Sequence, residues 1–316
     1  MTPARIVFMG TPEIARVNLA ALFAQPGWEV VAVVTQPDRP RGRNLAVLPS
    51  PVKEFALERG LPVLQPEKAR EPSFLAQLQA LAPDAIVVVA YGHLLPPSVL
   101  TLPRCGCLNI HTSLLPKYRG AAPIQWAIAH GDTETGVTLM QMDAGMDTGP
   151  LLAQRTTPIT SDDTGQTLHD RLAVLGAELL VATLPEVLAG LLPPQPQPAD
   201  GASLAPKIRK EDGHLDWRLP AVMLGNRLRA FTPWPGGFTN LPLAGRPVLM
   251  KIWHAEPEAG LAGQPGEILA ADRAGIVVSC GEGSLRVREL QLEGGRRLEA
   301  AAFLAGHPLA VGTRLG

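Results

Sequence analysis

The sequence predicts an α/β protein, an open and mostly parallel sheet flanked by helices, followed by a small antiparallel β-barrel. Three observations carry this. Apolar runs at 5–9 and 30–35 enclose a helical pattern at 14–24, and a strand–helix–strand start favours a parallel sheet. The most apolar run, AIVVVA at 85–90, has helical patterns on both sides, as a central strand covered on both faces requires. Beyond the proline-rich stretch 191–206, four short segments at 248–254, 266–270, 275–280 and 284–292 are separated by glycine-containing turns. That spacing suits a small antiparallel barrel.

The elements follow in order. Pro51 opens a helix to about Arg59, 61–64 forms a short edge strand, and 73–81 is helical. Residues 107–110 form a buried strand, which Pro116 and Gly120 end. Helical pattern resumes at Ala121, with Pro123 acceptable in the first turn. Strands are expected at 136–142 and 150–154. Thr164 caps a long helix to about 190, with leucines at 168, 172, 175, 179 and 180. A helix at 219–230 opens the C-terminal part. The expected division is a catalytic domain at 1–190, a stiff linker at 191–206 and a barrel at 207–316.

Net charge is −1 over 316 residues. Residues 1–206 sum to −4 and residues 207–316 to +3, so a polyanionic partner is expected to meet the C-terminal part. The three cysteines, Cys105, Cys107 and Cys280, show no metal-ligand spacing, and their sparse, odd count suits a reducing cytoplasm. The apolar run near the N-terminus is too short for a signal peptide, and nothing approaches a membrane span. GTPEIA at 10–15 lacks the glycine pattern of a dinucleotide-binding turn.

The stretch CLNIHTSLLPKYRGAAPIQ, 107–125, carries the chemistry. Asn109 and His111 are two apart and share one side of a strand, at a strand end where open α/β sheets bind ligands. A carboxamide can donate to an oxyanion, and an imidazole can donate or take a proton. Asp147, in MQMDAGMDTGP, adds a carboxylate able to orient the histidine. Its neighbour Asp143 is read as loop chemistry. The loop at 36–51 places Arg39, Arg41 and Arg43 within five residues, either a solvated basic loop or a phosphate contact. Trp234 lies among prolines and reads as packing, with base stacking as the other reading.

The block N-I-H-x-S-L-L-P-x-Y-R-G-A-A-P-I-Q, followed by Q-M-D-x-G-x-D-T-G, resembles the methionyl-tRNA formyltransferase family. Weaker resemblance runs from Arg5 to about the C-terminus. The resemblance implies a Rossmann-like catalytic domain and an OB-like barrel. It implies transfer of a formyl group from 10-formyl-tetrahydrofolate to the α-amino group of initiator methionyl-tRNA, without a metal. It places folate along Ser113, Leu114, Leu115 and Pro116, with Tyr91 and Gly92 near the pterin. It places tRNA at Arg41 and Arg43 and at the basic segment of Lys207, Arg209 and Lys210. Where the family continues with two lysines beyond its Gly-Arg-Gly, this chain has Leu45 and Ala46, so the C-terminal part is expected to carry a larger share of tRNA binding. Two rivals stay open: a folate-dependent formyltransferase acting on a small amine, and a non-catalytic RNA-binding protein.

Overall fold

The computed structural model describes residues 3–41, 46–243, 245–260 and 263–316. Its packing forms two units: Met1–Pro123, Glu134–Pro158 and His169–Ala205 in the first, and Ile124–Thr133, Ile159–Leu168 and Pro206–Gly316 in the second. The expected break near 190 therefore differs from the packing. Residues 124–133 and 159–168 pack with the C-terminal part, where Trp126 meets Phe231 edge-on. There the Arg229 guanidinium donates to the carbonyls of Thr160 and Asp163.

The first unit runs β1 (Ala4–Gly10), α1 (Glu13–Phe23), β2 (Trp28–Val34), β3 (Arg39–Arg41), β4 (Ala46–Leu48), α2 (Pro51–Glu58), β5 (Val63–Leu64), α3 (Pro72–Leu81), β6 (Ala85–Val89), α4 (Pro97–Leu100), β7 (Cys107–His111), α5 (Pro123–Ala129), β8 (Glu134–Gln141), β9 (Leu151–Pro158) and α6 (Gly165–Leu188). Of these, all of α5 except Pro123, and α6 through Leu168, belong to the second unit. The main sheet has the order β5-β2-β1-β6-β7-β8-β9. The first five strands are parallel, β8 pairs antiparallel with β7, and β9 pairs antiparallel with β8.

Local chemistry explains the elements. Ser50 accepts from Lys53 N–H at 3.1 Å and Pro51 occupies the first turn of α2. Thr164 accepts from Thr167 N–H at 3.1 Å, as a cap of α6 should. Every residue of β6 and β7 is buried. Val7, Met9, Ile86, Val88 and Cys107 form one core face with Phe74 and Leu78 of α3. On the other face, Gly176 of α6 lies so near Ile110 that a Cβ there would meet its Cγ2 at 2.9 Å. Strand β7 is thus packed on both faces, which fixes the rotation of Asn109 and His111 about it.

The expected loop at 36–51 holds a short antiparallel hairpin, with Arg39 opposite Leu48 and Arg41 opposite Ala46. Its alternation was too short to stand out among prolines and arginines. Arg43 lies outside the described residues. The stretch 191–206, expected as a stiff linker, is bonded to the first unit through residue 205, starting with two backbone bonds between Gln195 and Leu151 at 2.7 and 2.8 Å.

The second unit contains a 3₁₀ turn (Lys210–Gly213), α7 (Ala221–Ala230), β10 (Gly237–Leu243), β11 (Arg246–Glu258), β12 (Ile268–Asp272), β13 (Gly275–Ser279), β14 (Ser284–Leu292), β15 (Leu298–Glu299) and α8 (Ala300–Gly306). Its antiparallel sheet has the order β10-β11-β14-β13-β12. The C-terminal residues bond to both edges: Gly316 exchanges two bonds with Asn240, and Thr313 and Leu315 pair with Ile268 and Gly266. The edge groups of Asn240 and Ile268 are thereby paired, consistent with a small barrel-like domain. Leu215, Leu241, Met250, Ile276, Val287 and Phe303 lie in its core. Trp234, read as packing, is 58% exposed. Among the described residues, no helix is long and apolar enough to cross a membrane.

Candidate active site

Strand β7 lies between parallel β6 and antiparallel β8, with Asn109 opposite Val88 and Met140, and His111 opposite Thr138. Asn109 and His111 are 9% and 7% exposed. Each keeps a small opening to solvent at the strand end. Among the described residues, the Asn109 carboxamide has no hydrogen-bond partner. Its donors are therefore uncommitted.

The His111 ring is held from both sides. Its Nε2 lies 2.9 Å from the Tyr118 carbonyl oxygen. A carbonyl only accepts, so Nε2 carries the hydrogen and a neutral ring leaves Nδ1 as the acceptor. Nδ1 lies 3.7 Å from Asp147 Oδ2. That is beyond a hydrogen bond but close enough for charge to act. The same Oδ2 accepts from Gly120 N–H at 2.8 Å. The tautomer is thus set by the Tyr118 carbonyl, where the sequence pointed to Asp147. A backbone acceptor leaves no side-chain signature, which is why the sequence missed it.

Backbone conformation puts these groups in place. Tyr118 and Asp147 adopt φ of 61° and 54°, left-handed values uncommon for such residues. Gly120 has φ 121°, and a Cβ there would lie 2.7 Å from Ala205 O. A Cβ at Gly149 would meet Gln141 O at 1.9 Å. Asp143 accepts from Gly145 N–H and the Thr148 hydroxyl at 3.0 and 2.7 Å. It builds the loop that presents Asp147, in line with its reading as loop chemistry.

The segment with Ser113, Leu114, Leu115 and Pro116 follows His111 directly. Ser113 Oγ donates to Lys117 O at 2.6 Å. Thr138 Oγ1 donates to Ser113 O at 2.6 Å and accepts from Leu115 N–H at 3.1 Å. Gln154 donates to Leu115 O and to Thr138 Oγ1 at 3.0 and 2.9 Å. Ser113 and Leu115 are buried, while Leu114 and Pro116 are partly exposed. Any contact from this segment to a ligand therefore falls to the latter two side chains and to the backbone.

Tyr91 lies two residues beyond the end of β6. Its ring is 2% exposed and sits in the core with Val88 and Cys107. Burial pushes its hydroxyl up to about 12, so it stays neutral. Its carbonyl accepts from Gln36 Nε2 at 3.1 Å. Gly92, exposed at φ 86°, is the member of the pair that a ligand can approach. Cys107 shares the face of Asn109. Burial raises its thiol to about 12, which removes it as a nucleophile.

Arg41 lies in β3. In the second unit, Lys207, Arg209 and Lys210 are exposed, around the buried Ile208. Among the described residues, none of these three side chains is ion-paired. Gly213, at the end of the adjoining 3₁₀ turn, packs against Pro235 and Gly236, so the basic segment adjoins the loop carrying exposed Trp234. Among the described residues, no three His, Cys, Asp or Glu side chains are grouped for a metal.

Residues 4–184 match the family model described as formyl transferase, and residues 207–308 match that of the formyl transferase C-terminal domain. The chain is 56% identical over 314 residues to a methionyl-tRNA formyltransferase of Myxococcus xanthus, covering 99% of this chain and 98% of the relative. It is 52% identical over 316 residues to one of Geobacter sulfurreducens, covering 100% and 98%. A sugar 3N-formyl transferase solved in the presence of dTDP and 5-N-formyl-THF shares the fold, with a TM-score of 0.66 at 17% identity over 94% of this chain and 99% of that one. This chain belongs to the formyl transferase family, among the relatives named methionyl-tRNA formyltransferase.

Proposed function

We propose that the protein transfers the formyl group of 10-formyl-tetrahydrofolate to the α-amino group of methionyl-tRNA, the initiator species in particular. The observation that carries the reading is the convergence of an uncommitted Asn109 carboxamide with a His111 whose Nδ1 faces Asp147 at 3.7 Å. A free α-amino group has a pKa of about 7.7–8.0, so a useful fraction is neutral at pH 7 and attacks the formyl carbon directly. The carbonyl oxygen becomes an oxyanion, and Asn109 donates to it. The attacking nitrogen becomes cationic. Neutral His111 takes its proton at Nδ1, with Asp147 stabilising the imidazolium. The same Nδ1–H then protonates the departing folate nitrogen as its bond to the formyl carbon breaks. Proton and formyl group are both accounted for, with no covalent enzyme intermediate.

Ser113, Leu114, Leu115, Pro116 and Gly92 border the folate side of this site. Arg41, Arg43 and the segment of Lys207, Arg209 and Lys210 contact tRNA phosphates. Exposed Trp234 adds an aromatic face for a base. The deciding experiment offers purified protein 10-formyl-tetrahydrofolate with methionyl-tRNA, amino sugar nucleotides and glycinamide ribonucleotide. Formylation of methionyl-tRNA alone supports the reading. Preference for a small amine, or RNA binding without transfer, defeats it.

A further inference from the structure

The stretch 195–205 crosses back over the loop at 116–122 and bonds to the backbone that holds the catalytic pair. Ser203 Oγ accepts from Tyr118 N–H at 2.9 Å. Ser203 O accepts from Arg119 N–H at 2.8 Å, and Arg119 O accepts from Ala205 N–H at 2.7 Å. Gln197 joins this loop to the Asp147 loop. Its Oε1 accepts from Arg119 Nε and Nη2 at 3.1 and 2.6 Å. Its Nε2 donates to the carbonyls of Asp147 and Gly149, both at 2.8 Å. A guanidinium only donates and carbonyls only accept, so the amide has one orientation and its hydrogen-bonding capacity is full.

The two residues clamped this way, Tyr118 and Asp147, have the positive φ values noted above. Such conformations persist only where the surroundings over-determine them. Tyr118 supplies the carbonyl on His111 Nε2. Asp147 supplies the carboxylate near Nδ1. We propose that Gln197 and Ser203 are positioning residues for formyl transfer: the strap they belong to sets the spacing and orientation of His111 and Asp147 without touching either substrate. This rests on the formyl-transfer reading above. Gln197 lies with Gln195 in a proline run, outside any motif, and only the fold brings it to the site.

The test uses the full-length protein and the variants Gln197→Ala, Gln197→Glu and Ser203→Ala. The glutamate keeps the acceptor for Arg119 and loses both donors to the carbonyls. The readouts are single-turnover transfer at saturating substrates, KM for the formyl donor, the pH–rate profile and thermal melting. A misplacement of the pair should lower kcat by on the order of 10- to 100-fold, with KM within about two-fold and the pH–rate limbs displaced. Gln197→Glu should be as impaired as Gln197→Ala. Wild-type kcat and pH profile in folded variants would overturn the proposal. So would a loss that merely tracks the unfolded fraction while the pH profile stays unchanged. If the wild-type protein transfers no formyl group, the activity reading is what fails. Amide hydrogen exchange at Tyr118 and Gly120 still tests the strap, since it should accelerate in the variants and unchanged exchange would refute it.

Discussion

Replacing Asp147 by asparagine isolates the charge beside His111. The geometry is built to survive it. Oδ2 accepts from Gly120 N–H at 2.8 Å, and the same oxygen lies 3.7 Å from Nδ1. In Asp147→Asn the Gly120 N–H demands an oxygen, so the new NH₂ takes the other position and the oxygen facing His111 stays. What disappears is one negative charge opposite a ring that becomes cationic during transfer. Two unit charges at 3.7 Å interact by about 4.5 kcal/mol at an effective dielectric of about 20. The two side chains are 7% and 17% exposed, so some solvent screening remains. The imidazolium is also only partly formed in the transition state. A loss of about 2–3 kcal/mol is expected, on the order of 30- to 150-fold in kcat. The assay is single-turnover formylation of methionyl-tRNA from pH 5.5 to 9, beside thermal melting. The melting temperature should hardly move. A kcat within about three-fold of wild type, with a superimposable pH profile, would refute the proton-handling role of Asp147.

Thr138→Val removes the hydroxyl that pairs with Ser113 O, Leu115 N–H and Gln154. Leaving the buried Leu115 N–H unpaired should cost about 1–3 kcal/mol in chemical denaturation, and KM for the formyl donor should rise more than kcat falls. Changing Lys207, Arg209 and Lys210 together to Ala should weaken tRNA binding and lower the slope of log affinity against log salt by roughly 0.7–0.9 per lost phosphate contact. Trp234→Ala should weaken binding with the salt slope unchanged, which a filter-binding series would resolve. Asp84 accepts from Arg5 N–H at 2.9 Å and from Arg104 at 3.1 Å. The Arg5 backbone bond first, then Arg104, holds its carboxyl below the usual range. Its stabilisation is therefore full above the unfolded value of about 3.9 and is lost as pH falls through the lower native value. Asp84→Asn should destabilise at pH 7, and the gap to wild type should close in denaturation curves taken toward pH 2.

Much of this molecule is written in local sequence. Apolar runs of β-branched residues at β1, β2 and β6 encode buried parallel strands, because covered sheets need apolar side chains on both faces. Ser50 with Pro51, and Thr164, encode helix starts through their own backbone bonds. The two-residue spacing of Asn109 and His111 puts them on one side of any extended strand. Asp147 was legible as a carboxylate in a glycine-rich loop. The rest depends on contacts distant in sequence, which carry no periodicity. The Tyr118 carbonyl that fixes the histidine tautomer has no side-chain identity to read. The ring of Tyr91 packs in the core with Val88 and Cys107, a contact that its sequence neighbours do not show. Trp234 stayed exposed, although its neighbours suggested packing. Residues 313–316, whose sequence shows no strand pattern, bond to Asn240, Gly266 and Ile268 at both ends of the sheet order. Gln197 reads as a polar residue in a proline-rich stretch, and acquires its four hydrogen bonds only when 195–205 folds back on the site. Local sequence set which residues could do the chemistry, because backbone propensity and side-chain type act over a few residues. The tertiary fold decided their orientation, since hydrogen bonds between distant segments exist only after those segments meet.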